Sequence, residues 1–427
     1  MQELTGDASE GEDWAWIRLG VEDQLIRQAT GGGPGAAELC RSLEGLSLLE
    51  AAACGGAPLM LDALHVALGP AVAADSSPDR LVVAMSGGVD SAVALHHGRD
   101  AGHAPIGVTL RLWVDPAAPD HDRACCSPRA ARAARALCHS LAIPHVTLDL
   151  RERFRKRIVA PFIDGYARGE TPNPCVRCNG LFRFDELAQF ASRLGAARLA
   201  TGHYARIVRR NGRLLVARAH DVERDQSYML ARLPPWVLSL LWFPLGEQTK
   251  GETRAQARAL GLEAAERRSS QEACFLGGSD YRDFLARHGL KPADGPVLDA
   301  DGRELGRHGG FWRFTAGQRR GLALGGTRMP LYVVETDAST NTLTVGPRTA
   351  LGRTRVRVDP GELYAPVERA DVALRYGSPA VASRILPEVG GFSVELDEPV
   401  FGVARGQVAV VYEEDAVVGA GLISDAR

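Results

Sequence analysis

The chain has no run of 18 uncharged apolar residues, which argues against a membrane-spanning helix. It has no basic, apolar leader either, since its N-terminus is acidic, so the expected compartment is the cytoplasm and no membrane partner is expected. Cysteine is sparse and scattered: eight residues at 40, 54, 125, 126, 138, 175, 178 and 274. In a cytoplasmic protein these do not make a disulfide framework, and close pairs read instead as catalytic or metal-binding. Long-period repeats and low-complexity tracts are also missing, which excludes a solenoid or a disordered linker protein.

What is present is an ordinary globular composition, 45% hydrophobic and 24% charged over 427 residues, enough for two to four domains. A net charge of -2 conceals an asymmetry. Residues 1–75 carry 3 basic and 12 acidic side chains, net -9, and the remainder carries 47 against 40, net +7. A mildly basic body behind an acidic extension can bind a polyanion, because Arg and Lys contacts to phosphate dominate nucleic-acid affinity.

Four segments follow from the patterning. Residues 1–75 are Ala- and Leu-rich in their second half and read as an acidic helical extension, with Trp14 and Trp16 in its core and 71–79 as a linker. From 80 to 278, strand-like runs (81–85, 106–112, 145–149, 198–201) alternate with amphipathic helical stretches, predicting a parallel sheet with flanking helices. Residues 279–350 and 351–427 change to short β runs between Gly and Pro turns, predicting two small β-rich domains, the second barrel-like. The fold class is therefore α/β followed by β.

The stretch LVVAMSGGVDS at 81–91 sets a buried strand against a helix start, with glycines in the turn between them. Such a turn aims successive backbone N–H groups, two hydroxyls and a helix N-terminus at one point, which makes an anion site. No Lys follows as in G-x-x-x-x-G-K-[ST], and the G-x-G-x-x-G spacing is absent. The arrangement suits the pyrophosphate of ATP, with Asp90 placed to help hold Mg²⁺. The signature S-G-G-x-D-S resembles the PP-loop ATP pyrophosphatase superfamily, whose members adenylate a carbonyl oxygen and then displace AMP with a nucleophile.

Cys175 and Cys178 form a C-x-x-C behind Pro172 and Pro174, which stiffen the loop, and Cys274 follows in SSQEACFLGG. On chemistry alone the three cysteines suit half a zinc site, thiols that exchange sulfur, or an iron-sulfur cluster.

With AMSGGVDS, TPNPCVRCN, ATGHYARI, RDQSYML, SQEACFLG, FTAGQRRGL and PLYVV in order, the chain from about residue 80 onward resembles the tRNA-specific 2-thiouridylases. That resemblance implies an ATP-dependent sulfurtransferase that makes 2-thiouridine at the wobble uridine (U34) of tRNA. Uracil O2 is adenylated, sulfur attacks, and AMP and pyrophosphate are released. It implies ATP contacts at Ala84, Met85, Ser86, Gly87, Gly88, Val89, Asp90, Ser91, Leu110 and Gly202. Asn173, Pro174 and Cys175 correspond to the stretch that meets the target base, and Arg224, Asp225, Gln226, Arg375 and Tyr376 to segments that contact tRNA. Cys178 corresponds to the nucleophile and Cys274 to the persulfide carrier. Many members carry Asp where this chain has Cys175, and a thiol does not replace a carboxylate as an acid. A second route puts Cys175, Cys178 and Cys274 around a [4Fe-4S] cluster with one iron open to sulfide.

The implied partners are tRNA and a sulfur donor, whether a persulfide carrier, a cysteine desulfurase or sulfide. Another PP-loop tRNA thiolase or an amide-forming ligase is the alternative within the same chemistry; ligation would not need Cys178 and Cys274. A cluster-carrying or tRNA-binding protein without turnover is the alternative outside it, and the intact S-G-G-x-D-S loop speaks against that. RERFRKR at 151–157, Arg123, Arg129, Arg132 and Arg135 suit either RNA phosphates or solvated helix faces, and GQRRG at 317–321 suits RNA better. His203 can bind phosphate or order its loop. Cys125 and Cys126 are adjacent and poorly disposed to bridge each other. The helical half of the extension faintly resembles the tail of NifU-type iron-sulfur scaffolds, without a clear set of their ligands.

Overall fold

The computed structural model describes residues 1–10, 12–119, 127–262, 273–322, 324 and 329–427. Cys125, Cys126 and Arg123 lie outside the described residues.

The extension opens on strands. Buried residues recur every second position in β1 (Gln2–Glu10) and β2 (Asp13–Glu22), which pair with β3 (Leu25–Gly32) as an antiparallel sheet in that order. Its inner face, including Leu4, Ala15, Ile17 and Leu19, is buried. The helices α1 (Ala36–Leu43), α2 (Leu48–Ala51) and α3 (Pro58–Leu68) follow. Helix α3 crosses that face so closely that a Cβ on Gly6 would stand 2.1 Å from the Ala63 carbonyl oxygen. The purely helical reading of this segment is thus corrected: only its second half is helical. Trp14 and Trp16 are 57% and 37% exposed, not core, because they share the outer face of β2 with Arg18 while Ala15, Ile17 and Leu19 point inward.

The stretch expected as a linker is tied down. Ala74 and Ser77 donate backbone hydrogen bonds to the carbonyls of Arg193 and Gly195 (3.2 and 3.0 Å), and a strand begins at Ser77.

The second segment runs through β4 (Ser77–Ala84), α4 (Val89–Asp100), β5 (Ala104–Arg111), α5 (Pro128–Ser140) and β6 (His145–Asp149). A long helix follows, made of α6 (Arg151–Phe154), a π turn at Arg155–Val159 and α7 (Ala160–Ala167). Next come α8 (Pro174–Cys178), α9 (Phe184–Arg193), β7 (Ala196–Thr201) and a hairpin of β8 (Arg206–Arg210) and β9 (Arg213–Ala217). It ends with α10 (Ser227–Leu230), α11 (Pro235–Leu238), β10 (Leu241–Trp242) and α12 (Lys250–Ala259). Five strands form one sheet in the order β10-β7-β4-β5-β6, every neighbouring pair parallel. Leu81, Val82 and Val83 are each fully buried, as a central parallel strand covered on both faces requires.

After α13 (Tyr281–Arg287), the strands β11 (Gly295–Leu298), β12 (Glu304–His308), β13 (Tyr332–Asp337) and β14 (Thr342–Gly346) make a small sheet in the order β12-β11-β14-β13. The last six, β15 (Gly352–Leu363), β16 (Arg369–Ala373), β17 (Val381–Glu388), β18 (Gly391–Phe401), β19 (Val408–Glu413) and β20 (Ala416–Ala426), pair in the order β15-β18-β17-β16-β19-β20. Pairing of β15 with β20 closes them into a barrel. The β8–β9 hairpin leaves the second segment and adds to this barrel at Ala217 and Ala416, where Arg206 and Arg210 both pair with Asp415.

The extension docks on the edge strand β6 and on α5. Asp62 accepts from Arg132 and Arg135 at 2.8 Å each, and Glu10 from Arg132 at 2.7 Å. The RNA-facing reading of these two arginines is corrected accordingly: they bind the acidic extension. Among the described residues no helix is long and apolar enough to cross a membrane.

Candidate active site

The loop between β4 and α4 sits at the carboxyl ends of the parallel strands, where open α/β sheets hold their ligands. Gly87 adopts φ +70°, and a Cβ there would lie 2.4 Å from the Ala130 carbonyl oxygen, so only glycine fits beneath α5. The Ser86 N–H and hydroxyl each lie 3.2 Å from Ser91 Oγ, and that hydroxyl donates to the Gly88 carbonyl at 3.0 Å. The loop is folded upon itself at the start of α4. Met85 and Val89 are buried beneath it, and Ala84 is half-buried at the end of β4.

The neighbouring strands back the loop. Thr109 of β5 donates to the Met85 carbonyl at 3.0 Å, and Leu110 beside it is 9% exposed. Just past β7, Gly202 presses on the loop: a Cβ there would stand 2.6 Å from the Asp90 carbonyl carbon. His203 Nδ1 lies 2.8 Å from Thr201 Oγ1, with its ring against Phe184 and Phe243, an arrangement that orders this turn.

Two residues at this mouth went unrecognised in the sequence. Lys250 Nζ lies 2.5 Å from Asp90 Oδ1, and the Tyr204 hydroxyl lies 3.1 Å from the same oxygen. Burial, then the Asp90 carboxylate, pushes the Tyr204 phenol well above its ordinary pKa, so it stays protonated. The only local signal of Lys250 is the capping box of Thr249 and Glu252 that starts α12.

The second stretch of expected site residues is TPNPC. Asn173 caps α8, its Oδ1 accepting from the amides of Cys175 and Val176 at 3.1 Å each, and Pro174 occupies the first helical position. The loop before it is clasped from two sides. The Thr171 N–H donates to the Arg405 carbonyl (2.7 Å) and Gln407 Nε2 to the Thr171 carbonyl (2.6 Å), both from the barrel. Thr336 of β13 donates to the Gly169 carbonyl at 3.0 Å. All three segments that carry the family-like motifs therefore meet at the stretch expected to receive a base.

Cys175 is half-buried, Cys178 is 6% exposed, and Cys274 is half-buried in a 3₁₀ turn, Cys274–Leu276. The segments that carry the last two share an aromatic anchor. Phe182, just after the Cys178 helix, and Phe275, next to Cys274, both pack on Phe154, at ring separations of 5.6 and 6.2 Å. Among the described residues, however, no group of three or more His, Cys, Asp or Glu side chains is assembled as a metal site. No step below is routed through a cluster.

Of the other expected RNA contacts, Asp225 accepts from the Ala219 and Ser227 amides (3.0 and 3.1 Å), and Gln226 Oε1 from the Tyr204 amide (2.9 Å). Their side chains serve the turn itself, with Arg224 half-buried beside them in a 3₁₀ turn. Tyr376 is 49% exposed next to Arg375 and packs on Tyr228 at 5.8 Å. In RERFRKR, Arg151, Arg153 and Arg157 pair with Asp149, Glu186 and Asp185, while Arg155 and Lys156 are exposed. Arg319 and Arg320 of GQRRG are exposed.

Three family profiles match the chain: the tRNA methyl transferase HUP domain over residues 79–278, the tRNA methyl transferase PRC-barrel domain over 282–347, and the aminomethyltransferase beta-barrel domain over 361–423. Among curated relatives, the tRNA-specific 2-thiouridylase MnmA of Rhodospirillum centenum is 42% identical over 366 residues, covering 82% of this chain and 93% of that protein. That of Chloroflexus aurantiacus is 42% identical over 358 residues, covering 81% and 98%. The solved U34-tRNA thiolase NcsA of Methanococcus maripaludis, with its [4Fe-4S] cluster, aligns at 15% identity and a TM-score of 0.31 over 60% of this chain and 80% of that one, too slight a likeness to bear on the argument.

Proposed function

Because the chain belongs to the tRNA-specific 2-thiouridylase family, we propose the following division of labour among its residues in the ATP-dependent thiolation of the wobble uridine of tRNA. The label of methyl transferase on two of the matching profiles does not suit the site, since a folded S-G-G-x-D-S turn at a helix mouth is built for phosphate.

The Ser86–Ser91 turn binds the phosphates of ATP, with Leu110 and Gly202 on its flanks. Asp90 is the carboxylate available to Mg²⁺, which travels with ATP and spreads the charge of the phosphates. Asn173, Pro174 and Cys175 receive the flipped base, and Arg224, Arg375, Tyr376 and the exposed Arg319 and Arg320 hold the tRNA. Uracil O2 attacks the α-phosphorus, and the bond to pyrophosphate breaks. Adenylation turns O2 into a leaving group.

Cys274 carries a persulfide received from an external donor. Its terminal sulfur attacks C2. Cys178 thiolate then attacks the Cys274 sulfur, so the S–S bond breaks, a Cys178–Cys274 disulfide forms, and the sulfur left on C2 expels AMP. The two cysteines are oxidised as the sulfane sulfur is reduced, and an external thiol resets them.

The observation that supports this pairing most directly is the shared Phe154 anchor of the Cys178 helix and the Cys274 turn. The test is anaerobic thiolation of tRNA with Mg-ATP, reading 2-thiouridine by nucleoside mass spectrometry. One arm supplies a persulfide donor to iron-free protein, and the other supplies sulfide to protein reconstituted with iron. Product in the first arm, lost in Cys178→Ser and Cys274→Ser while tRNA-dependent pyrophosphate release continues, is the expected result. Product only with iron overturns the persulfide route.

A further inference from the structure

Only three lysines occur in this chain against 47 arginines. Lys156 and Lys291 are exposed; Lys250 alone is buried. It is the first residue of α12, where its amide donates to Asp221 Oδ2 at 2.8 Å. Its side chain, 10% exposed, runs past the Tyr204 ring to end 2.5 Å from Asp90 Oδ1. That places an ammonium group at the N-terminal turn of α4, where the helix dipole disfavours a cation. A carboxylate offsets the mismatch in this state, and a phosphate anion would offset it better. A compact ammonium on a flexible stem can move between two anions in a way that a guanidinium, fixed by its planar fork, cannot.

We propose that Lys250 is a catalytic residue of the adenylation step, held on Asp90 until Mg-ATP arrives and then transferred to the pyrophosphate portion of ATP. Asp90 exchanges the ammonium for the metal. The freed Lys250 neutralises charge that grows on the pyrophosphate oxygen as its bond to the α-phosphorus breaks and the bond from uracil O2 forms. Tyr204 and Thr253, 2.8 Å apart, keep the carboxylate and the start of α12 in register for the exchange. The inference rests on the ATP reading of the Ser86–Ser91 turn.

The test uses the full-length chain as Lys250→Met and Lys250→Arg, with calorimetric titration of magnesium pyrophosphate and, separately, of AMP, alongside tRNA-dependent AMP release. For Lys250→Met we expect pyrophosphate affinity to fall by about tenfold and turnover by about a hundredfold, with AMP affinity unchanged. Lys250→Arg, which preserves the charge, should regain pyrophosphate binding but little turnover, and it serves alone if the methionine variant does not fold. A purely structural ion pair would lower both affinities together or neither, and either pattern overturns the proposal, as does full turnover in Lys250→Arg. Wild-type protein that binds pyrophosphate but never releases AMP with tRNA overturns the thiolation reading instead.

Discussion

Gly87 and Gly88 are neighbours with different reasons to be glycine. Gly87 is in the left-handed region and under the Ala130 carbonyl, so Gly87→Ala must shift the loop itself; strain of about 1–2 kcal/mol is expected, read as a lower melting temperature together with lost ATP affinity. Gly88 has ordinary φ of -96°, and the nearest atom to a Cβ there is Ser86 Oγ at 3.5 Å. Gly88→Ala should therefore leave the melting temperature unchanged and still lower ATP affinity by about tenfold, because the methyl group stands where a phosphate must approach the backbone. Unchanged affinity would remove Gly88 from the phosphate site. Residues of this kind were legible because their chemistry is local: a turn, a cap, a C-x-x-C. Lys250 was not, since it reaches Asp90 from 160 residues away and no pattern around it encodes the distance.

Among elements, the parallel strands and their helices could be read from apolar runs and amphipathic periods, and the observed bounds fall within a few residues of the expected ones. The strands of the extension could not. They have one solvent face, on which Trp14, Trp16 and Arg18 interrupt what looks like a hydrophobic segment, and the Ala/Leu-rich helices beyond them dominated the period. The β8–β9 hairpin escaped for another reason: its partner strand, β20, is about two hundred residues away in sequence. The clasp on the loop proposed to receive the base has the same long-range character. Gln407→Ala removes the side-chain donor to the Thr171 carbonyl, a loss of about 1 kcal/mol. Thiolation should weaken through a higher KM for tRNA, with magnesium-pyrophosphate and AMP affinities at wild-type values; steady-state kinetics with each substrate varied separates these, and a fall in ATP affinity instead would place the clasp's effect in the nucleotide half.

At the scale of the whole molecule, the interface between the acidic extension and the α/β segment includes a set of packed imidazoles, two of them fully buried. His65 of α3 packs on His145 of β6 and His139 of α5, with ring separations of 5.4 and 6.1 Å. Asp62, paired with Arg135, stands on the same interface, Thr109 Oγ1 lies 2.9 Å from His145 Nε2, and the Ala52 carbonyl lies 3.2 Å from His139 Nε2. Neither ring nitrogen of His65 has a hydrogen-bond partner among the described residues. Burial is the main cause that pushes the pKa of His65 and His145 well below the usual 6.5, so the folded protein keeps both neutral while the unfolded chain protonates them. Stability is then complete above about pH 6.5 and falls as pH drops below it, by about 1.4 kcal/mol per pH unit for each such histidine until its folded pKa is reached. His65→Leu should remove one histidine's share of that slope and shed an unsatisfied buried group, so that thermal or urea unfolding between pH 5 and 8 shows a flatter profile and greater stability at pH 5.5 than wild type. An identical slope in both proteins would mean that His65 does not stay neutral in the folded state. Because the interface includes α5, whose first turn covers Gly87 of the loop proposed to hold ATP, the same titration followed by ATP affinity tells whether the extension steadies the nucleotide half or merely rides on it: affinity that falls with stability in wild type but holds in His65→Leu assigns it the steadying role.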